Sequence, residues 1–181
     1  MSPTEILKNE HTYVLMVLDG AEQISKTIDT TGQIDADKIE KLIDFSRHFT
    51  DGCHHTKEEK LLFPKMGEKG FSTDFGPVAV MLAEHVEGRG YIGEIEKRLN
   101  LVMNGDESAK PMLARSIRDY IYLLRSHISK ENDILFNMAD QALNVEEQAK
   151  LSLEFEKADA EELGEAAHAK YIQIAKEFSE I

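Results

Sequence analysis

The chain has 181 residues, of which 34 are acidic and 21 are Lys or Arg, giving a formal charge of -13. A surface this acidic repels phosphate backbones and anionic lipid headgroups, so we expect neither nucleic acid nor a membrane surface as a partner. No apolar run approaches the roughly 18 residues of a membrane-spanning helix, and the length fits one domain with a substantial core. The single cysteine, Cys53, and an N-terminus without the regions of a signal peptide predict a reducing, cytoplasmic location.

Apolar residues recur at spacings of three and four along most of the chain, which predicts long amphipathic helices and an all-α fold. The first helix is predicted to start with Ser2 as its cap and to fray over 29–32. The second opens near Asp35 or Asp37 and continues to about Phe63. The residues expected to end it are Pro64, Gly67 and Gly70.

The third helix is predicted to begin around Asp74 and to reach about Leu101, and the fourth to start near Ser108 and stop near Asn144. Short connections between long amphipathic helices favour antiparallel neighbours. The sequence therefore predicts an up-down-up-down antiparallel four-helix bundle over residues 1–144.

Residues 145–181 are predicted to add one further helix that packs on the bundle. Gly164 is the residue at which this helix would be interrupted, because glycine is unfavourable inside a helix. The segment has no ligand motif of its own. Its helical pattern is carried by Leu151, Phe155, Ala158, Leu163, Ala166 and Ile174.

Two ten-residue segments align without gaps, 54–63 on the second helix and 127–136 on the fourth. Histidine, lysine, glutamate, two aliphatic residues and phenylalanine recur in register between them. The offset from His54 to His127 is 73 residues, and two further histidines on the first and third helices, His11 and His85, are offset by 74. The chain therefore consists of two helical hairpins that each carry one lone histidine and one His-x-x-x-Glu motif.

Residues four apart in a helix project from the same face, so each motif presents its histidine and glutamate together. Imidazole nitrogens suit iron, copper or zinc, and a carboxylate can bridge two cations with its two oxygens. A lone buried histidine is usually a hydrogen-bonded core residue, but duplication of the whole pattern favours a two-metal site over that alternative. The predicted metal ligands are His11, His54, Glu58, His85, His127 and Glu131.

The choice between the adjacent histidines His54 and His55 rests on the helical wheel. At about 100° per residue, His54 borders the apolar arc of Ile43 and Leu61, whereas His55 points nearly opposite. We therefore expect His55 to be solvated or to support the ligands from outside. An extra ligand from His55 or Glu59 stays open.

Three other residues with metal-binding chemistry receive structural interpretations. Cys53 has Ser126 as its counterpart in the repeat, and free cysteines are commonly buried as small hydrophobic residues. His48 has Ile121 as its counterpart, and His168 lies in the C-terminal segment. Both of these histidines are expected at the surface.

The ligand pattern, together with the stretch His-His-x-Lys-Glu-Glu-x-Leu-Leu-Phe-Pro, resembles the hemerythrin-like (HHE cation-binding) domain family over roughly residues 5–140. The resemblance implies two non-haem iron ions with an oxo or hydroxo bridge, with Glu58 and Glu131 bridging and the histidines terminal. It also implies a small ligand such as O₂, peroxide or nitric oxide, with the protein acting as a binder or sensor or as an oxidoreductase. It implies no particular protein partner.

This chain differs from the family's better-known members at several positions, and these differences narrow the functions that the resemblance implies. Oxygen carriers have a fifth histidine in a His-x-x-x-His on the third helix, but Met81 and Arg89 stand four residues before and after His85. They also place an aspartate five residues after the last histidine, where this chain has Asn132. Iron–sulfur-cluster repair relatives carry an N-terminal extension with paired cysteines, so a repair role is only weakly implied. Two alternatives remain: an iron-binding or regulatory interaction module without turnover, and an interaction bundle without metal.

Overall fold

The computed structural model describes residues 1–162 and 164–181, and in this part of the chain the regular secondary structure is entirely helical, without a strand. The predicted all-α class is therefore confirmed. Leu163, one of the residues assigned to the C-terminal helical pattern, lies outside the described residues. The α-helices of the described part are α1 Pro3–Thr31, α2 Ala36–Phe45, α3 Phe63–Glu68, α4 Pro77–Met103, α5 Lys110–Lys130, α6 Phe136–Ala142, α7 Val145–Glu162 and α8 Gly164–Phe178.

Capping residues determine where the first helices begin and end. The Ser2 hydroxyl accepts a hydrogen bond from the Glu5 N–H, and the Glu5 carboxylate accepts one from the Ser2 N–H, which forms a capping box. Gly32 ends α1 in the left-handed region at φ 69°. The Asp35 carboxylate caps α2 by accepting a hydrogen bond from the Lys38 N–H. The predicted helix starts at Ser2 and Asp35 are confirmed.

π-helical segments continue the helical backbone beyond α2 and beyond α5. In such segments the N–H bonds to the carbonyl five residues earlier, and they are frequent at functional sites. In both halves of the repeat the phenylalanine N–H donates to the carbonyl of the motif glutamate, Phe63 to Glu58 and Phe136 to Glu131. The π-helical segments are Ser46–His55, Glu58–Leu62 and Glu131–Leu135.

The prediction that Pro64 ends the second helix is wrong, because the helical backbone runs without a break over 36–68. Proline has no N–H and normally disrupts the hydrogen-bond ladder of a helix interior. Here Pro64 directly follows the π turn closed by Phe63, where the ladder changes its spacing, and this change accommodates a residue without a donor. Gly70, at φ 97°, lies just beyond the actual end.

The buried apolar residues form two clusters with a polar layer between them. On α1, Leu7 belongs to one cluster and Val14 to the other, and His11 lies between them. His85 separates the two clusters in the same way on α4. The fold therefore surrounds its buried histidines with apolar side chains on both sides.

The segment predicted as one C-terminal helix forms α7 and α8, which lie against α1. Gly164 begins α8 at φ 71°, the conformation that favours glycine and turns the chain between the two helices. Leu151 and Phe155 join one apolar cluster and Ile174 the other, whereas Ala166 is exposed. Among the described helices, none combines the length and the apolar character that a bilayer crossing requires.

Candidate metal centre

The six side chains predicted as ligands come together in the polar layer. Each is at most 1% exposed. Two come from the long helices α1 and α4, and the others from the π-helical segments or the end of α5. They are His11 and His85, then His54, Glu58, His127 and Glu131.

Glu131 faces one histidine from each half of the repeat. Its Oε2 lies 3.2 Å from His11 Nε2 and 3.3 Å from His127 Nε2. Burial alone would lower the pKa of His127, but the Glu131 carboxylate raises it to about 10. Burial would likewise raise the pKa of Glu131, yet the neighbouring histidines hold it well below its usual range. Glu131 is therefore an anion that requires positive charge beside it, which a proton on His127 supplies in the metal-free protein.

Glu58 occupies the equivalent place in the other motif. Its Oε1 lies 3.5 Å from His54 Nε2 and its Oε2 lies 3.4 Å from His85 Nε2. The Nε2 atoms of His85 and His127 are 3.2 Å apart. Burial lowers the pKa of His54 to about 3, so its imidazole is neutral near pH 7, which is the form that ligates metals.

Several atoms at the centre have no hydrogen-bond partner among the described residues. They include both carboxylate oxygens of Glu58 and of Glu131, and the Nε2 atoms of His11 and His54. Each such buried group costs about 1–3 kcal/mol, and more when charged, unless something binds it. Two sets of ligand atoms each lie within 4.8 Å of one another and share Glu58, so the donors fit two adjacent cations. The sets are His11, His54, Glu58 and Glu131, and His55, Glu58, His85 and His127.

An outer layer of polar side chains holds the ligand histidines by their Nδ1 atoms. His54 Nδ1 lies 2.8 Å from Glu10 Oε2, and Lys57 forms an ion pair with the same carboxylate. An Nδ1–H that donates to a carboxylate fixes the ring orientation and leaves Nε2 free for a metal. The other half repeats this arrangement with His127, Glu84 and Lys130.

The two remaining histidines have unlike supports. His11 Nδ1 lies 2.9 Å from the amide oxygen of Asn132, whereas His85 Nδ1 lies 2.7 Å from the Glu59 carboxylate. Arg89 binds that carboxylate at 2.7 Å. Arg89 therefore neutralises the residue that orients His85.

One side chain of α7 reaches this outer layer. Asp159 accepts a hydrogen bond from Lys57 at 2.6 Å and another from the Cys53 thiol at 2.9 Å. Cys53 is 2% exposed, as predicted, and burial raises the pKa of its thiol. The contacts of Lys57 with Glu10 continue the connection from α7 to His54.

His55 is 5% exposed, so the expectation that it is solvated is wrong. The wheel assumed about 100° per residue, but the segment Ser46–His55 is π-helical and turns less at each residue. His54 and His55 consequently both face the interior. His55 Nδ1 lies 3.4 Å from Asp51 Oδ1, which keeps open the other expectation, that His55 supports or extends the ligand set.

His48 is exposed, with 59% of its side-chain surface accessible, as predicted. His168 is half-buried, with its ring centre 5.7 Å from that of Phe49, so the surface assignment is wrong in part for this residue. Neither histidine belongs to either of the two sets of ligand atoms at the centre.

Sequence reasoning missed most of the outer layer. Glu10 and Glu84 directly precede His11 and His85 and share their offset of 74 residues, so the repeat contained a signal for both. Asp159 lies outside the repeat, and no sequence pattern indicated it.

Fold and site together define a helical protein with a buried histidine and carboxylate centre suited to cations. The family model described as the Hemerythrin HHE cation binding domain matches residues 2–139. The chain therefore belongs to the hemerythrin HHE cation-binding domain family, and the resemblance found in the sequence is confirmed.

Relatives of this chain match only part of their own length. Uncharacterized protein Rv1995 of Mycobacterium tuberculosis is 23% identical over 162 residues, which cover 90% of this chain and 63% of that protein. Iron-sulfur cluster repair protein YtfE of Escherichia coli is 36% identical over 88 residues, which cover 48% of this chain and 40% of that protein. No solved structure matches the chain significantly.

Proposed function

We propose that this protein is a non-haem di-iron protein that binds a small oxidant, namely O₂, peroxide or nitric oxide, as a binder or sensor or as an oxidoreductase. The observation that carries the proposal is the pair of buried glutamates, Glu58 and Glu131. All four of their oxygens lack a hydrogen-bond partner in the described structure. Each of the two carboxylates faces histidine nitrogens from both halves of the repeat. Iron favours this mixture of imidazole and carboxylate donors, and family membership supports a cation.

His11 and His54 would hold one ion and His85 and His127 the other, with Glu58 and Glu131 between them. Iron would supply the one-electron chemistry that binding or reducing an oxidant requires. The protein's own contribution is to orient the rings through their Nδ1 contacts and to exclude bulk water with the two apolar clusters.

We also propose the finer architecture predicted from the sequence. The contacts of α1 with α5, of α4 with α5 and of α2 with α4 suit an up-down-up-down arrangement of four helices over residues 1–144. Residues 145–181 would then be an addition that covers α1 and reaches the site through Asp159. A cytoplasmic location remains a prediction.

A regulatory module without turnover is the second candidate, and the contact between Asp159 and Lys57 favours it. This contact joins α7 to the residues that hold His54, so metal occupancy and the position of α7 are linked through hydrogen bonds. Asp159→Asn separates the two candidates. Loss of a partner interaction with unchanged turnover would favour the module, and changed turnover would favour an enzyme. Repair of iron–sulfur clusters, the role in the name of the Escherichia coli relative, is not part of the proposal, because this chain matches only 40% of the length of that protein.

Metal analysis of anaerobically purified protein, with an optical spectrum recorded in air, tests the proposal. We expect about two irons per chain in the wild type and fewer in Glu58→Ala and in Glu131→Ala, because each loss leaves excess positive charge among the remaining ligands. Glu68→Ala is the control, since that side chain is 62% exposed and far along the same helix. Fewer than about two irons in the wild type, or unchanged stoichiometry in both variants, would contradict the proposal.

A further inference from the structure

One side of the centre contains a histidine that the four-histidine, two-glutamate set leaves out. The ring of His55 stacks on that of His85, with centroids 3.8 Å apart and an interplanar angle of 13°. One ligand atom each from His55, Glu58, His85 and His127 lies within 4.8 Å of the others. A nitrogen of His55 thus lies among the donors already assigned to the second ion.

His55 has a carboxylate beside its Nδ1 atom, as His54, His85 and His127 do, but at a longer distance. Its Nδ1 faces Asp51 at 3.4 Å, which leaves Nε2 as the donor available to a metal. Arg89 binds Asp51 and Glu59, each at 2.7 Å, and Glu59 in turn orients His85. A single guanidinium therefore stabilises the supports of both neighbouring rings.

The repeat has none of these groups at the equivalent positions around the other set of donors. At the same offsets of 73 and 74 residues, Ile128 replaces His55, Leu124 replaces Asp51 and Leu15 replaces Arg89. Ile128 and Leu124 are buried in an apolar cluster and offer no donor to a metal. The histidine, its carboxylate and the arginine that holds the carboxylate are therefore present together at one ion position and absent together at the other.

We propose that His55 is a third histidine ligand of the ion held by His85 and His127, so that the two ions of the centre are chemically inequivalent. This inference rests on the proposed di-iron function and adds a donor to it. Binding of both rings to one ion requires them to leave their parallel stack. The 3.4 Å contact with Asp51 is near the limit of a hydrogen bond, so it restrains this rotation weakly.

A rival role for His55 is that of a wall residue. A cavity of about 140 Å³ adjoins the site, and His55 lines it together with His85, Gly88 and Tyr120. A wall residue would affect the small molecules admitted to the cavity but would leave the number and the electronic environment of the ions unchanged. Measurements on the metal alone therefore distinguish a ligand from a wall.

The test loads the full chain anaerobically with Fe(II) enriched in the Mössbauer-active isotope. His55→Ile introduces the residue type that stands at the equivalent position of the repeat, Ile128. His48→Ile is the control, because His48 is an exposed histidine on the same helix. We expect two iron signals of equal area in the wild type and in the control. In His55→Ile one iron signal should change while the other persists. A chelator should extract one iron from this variant at least about tenfold faster than from the wild type. His55→Gly should behave likewise and recover the original signal when imidazole is added.

Two irons with both signals and the extraction rate unchanged in His55→Ile would show that His55 is a wall residue and overturn the proposal. Equal loss of both irons, without recovery by imidazole in His55→Gly, would assign His55 a purely structural role and also overturn it. Fewer than two irons in the wild type would instead refute the di-iron function on which the proposal rests. Failure of the di-iron function appears in the wild type, whereas failure of the proposal for His55 appears only in the His55 variants. The two failures are therefore distinguishable.

Discussion

Lys57 is the buried cation of the outer layer, and replacing it with methionine probes that layer in the metal-free protein. Its side chain is fully buried, and its partners Glu10 and Asp159 are 6% and 29% exposed. Burial lowers the pKa of Lys57, but Glu10 raises it above its usual value, so the lysine is charged at pH 7. Lys57→Met would leave the Glu10 carboxylate buried without its counter-ion.

The repeat supplies a matched control in Lys130, which pairs with Glu84 in the same way but is 35% exposed. Removing one partner of a buried ion pair costs about 3–5 kcal/mol, whereas an exposed pair contributes about 0.2–1 kcal/mol. The Lys130 pair is half-buried and falls between these two cases, so we expect Lys57→Met to lower the free energy of unfolding by about 1–4 kcal/mol more than Lys130→Met. For a chain of this size, the loss in Lys57→Met corresponds to a fall in Tm on the order of 6–20 °C.

Urea unfolding of chelator-treated protein at pH 7, followed by circular dichroism, measures both losses. Equal destabilisation by the two substitutions would refute the reasoning, because it would mean that burial does not distinguish the two ion pairs. A loss confined to Lys57→Met that disappears in the double variant with Glu10→Gln would support the uncompensated carboxylate as its cause.

Three further predictions concern charge at the centre. The pKa of His127 is raised to about 10 in the folded metal-free protein, against an ordinary value of 6.5, so its stabilising contribution is complete below pH 6.5 and is lost as the pH rises towards 10. Urea midpoints at pH 6, 8 and 10 should therefore fall in the wild type and fall less in His127→Gln. Asn132→Asp should lower the stability of the metal-free protein, because it places a carboxylate beside His11 while Leu15 stands at the position equivalent to the neutralising Arg89. Thermal melts that show no loss of stability would contradict this prediction. Fe(II) at 100 times its Kd should stabilise the wild type by about 2.7 kcal/mol in anaerobic melts, and a similar gain in a variant lacking Glu58 and Glu131 would exclude the centre as the binding site.

The internal repeat made much of the candidate site predictable. Each motif occurs twice at a nearly constant offset, and the structure brings together His54 with Glu58, and His127 with Glu131, at the places that the repeat indicated. Helix caps at Ser2 and Asp35 were equally predictable, because capping depends on side chains a few residues away.

The wrong predictions for His55 and Pro64 share a physical cause. The wheel that turned His55 outward and the expectation that Pro64 ends a helix both assumed uniform α-helical spacing. π-helical hydrogen bonds change the rotation per residue and the positions of free donors, and a local pattern of apolar residues does not reveal them. Asp159 escaped prediction for a different reason, since its contact with Lys57 depends on how α7 packs, which lies beyond any local pattern.

The repeat also shows where the surroundings of the two lone histidines differ. The six donors predicted from the sequence are matched, because each half provides one lone histidine and one His-x-x-x-Glu motif. The outer residues are not: a neutral amide supports His11, whereas a carboxylate paired with Arg89 supports His85. A carboxylate that accepts the Nδ1–H makes an imidazole a stronger electron donor than an amide does. Two ions held in this site would therefore differ in their affinity for electrons, and an incoming oxidant would meet one of them as the better reductant.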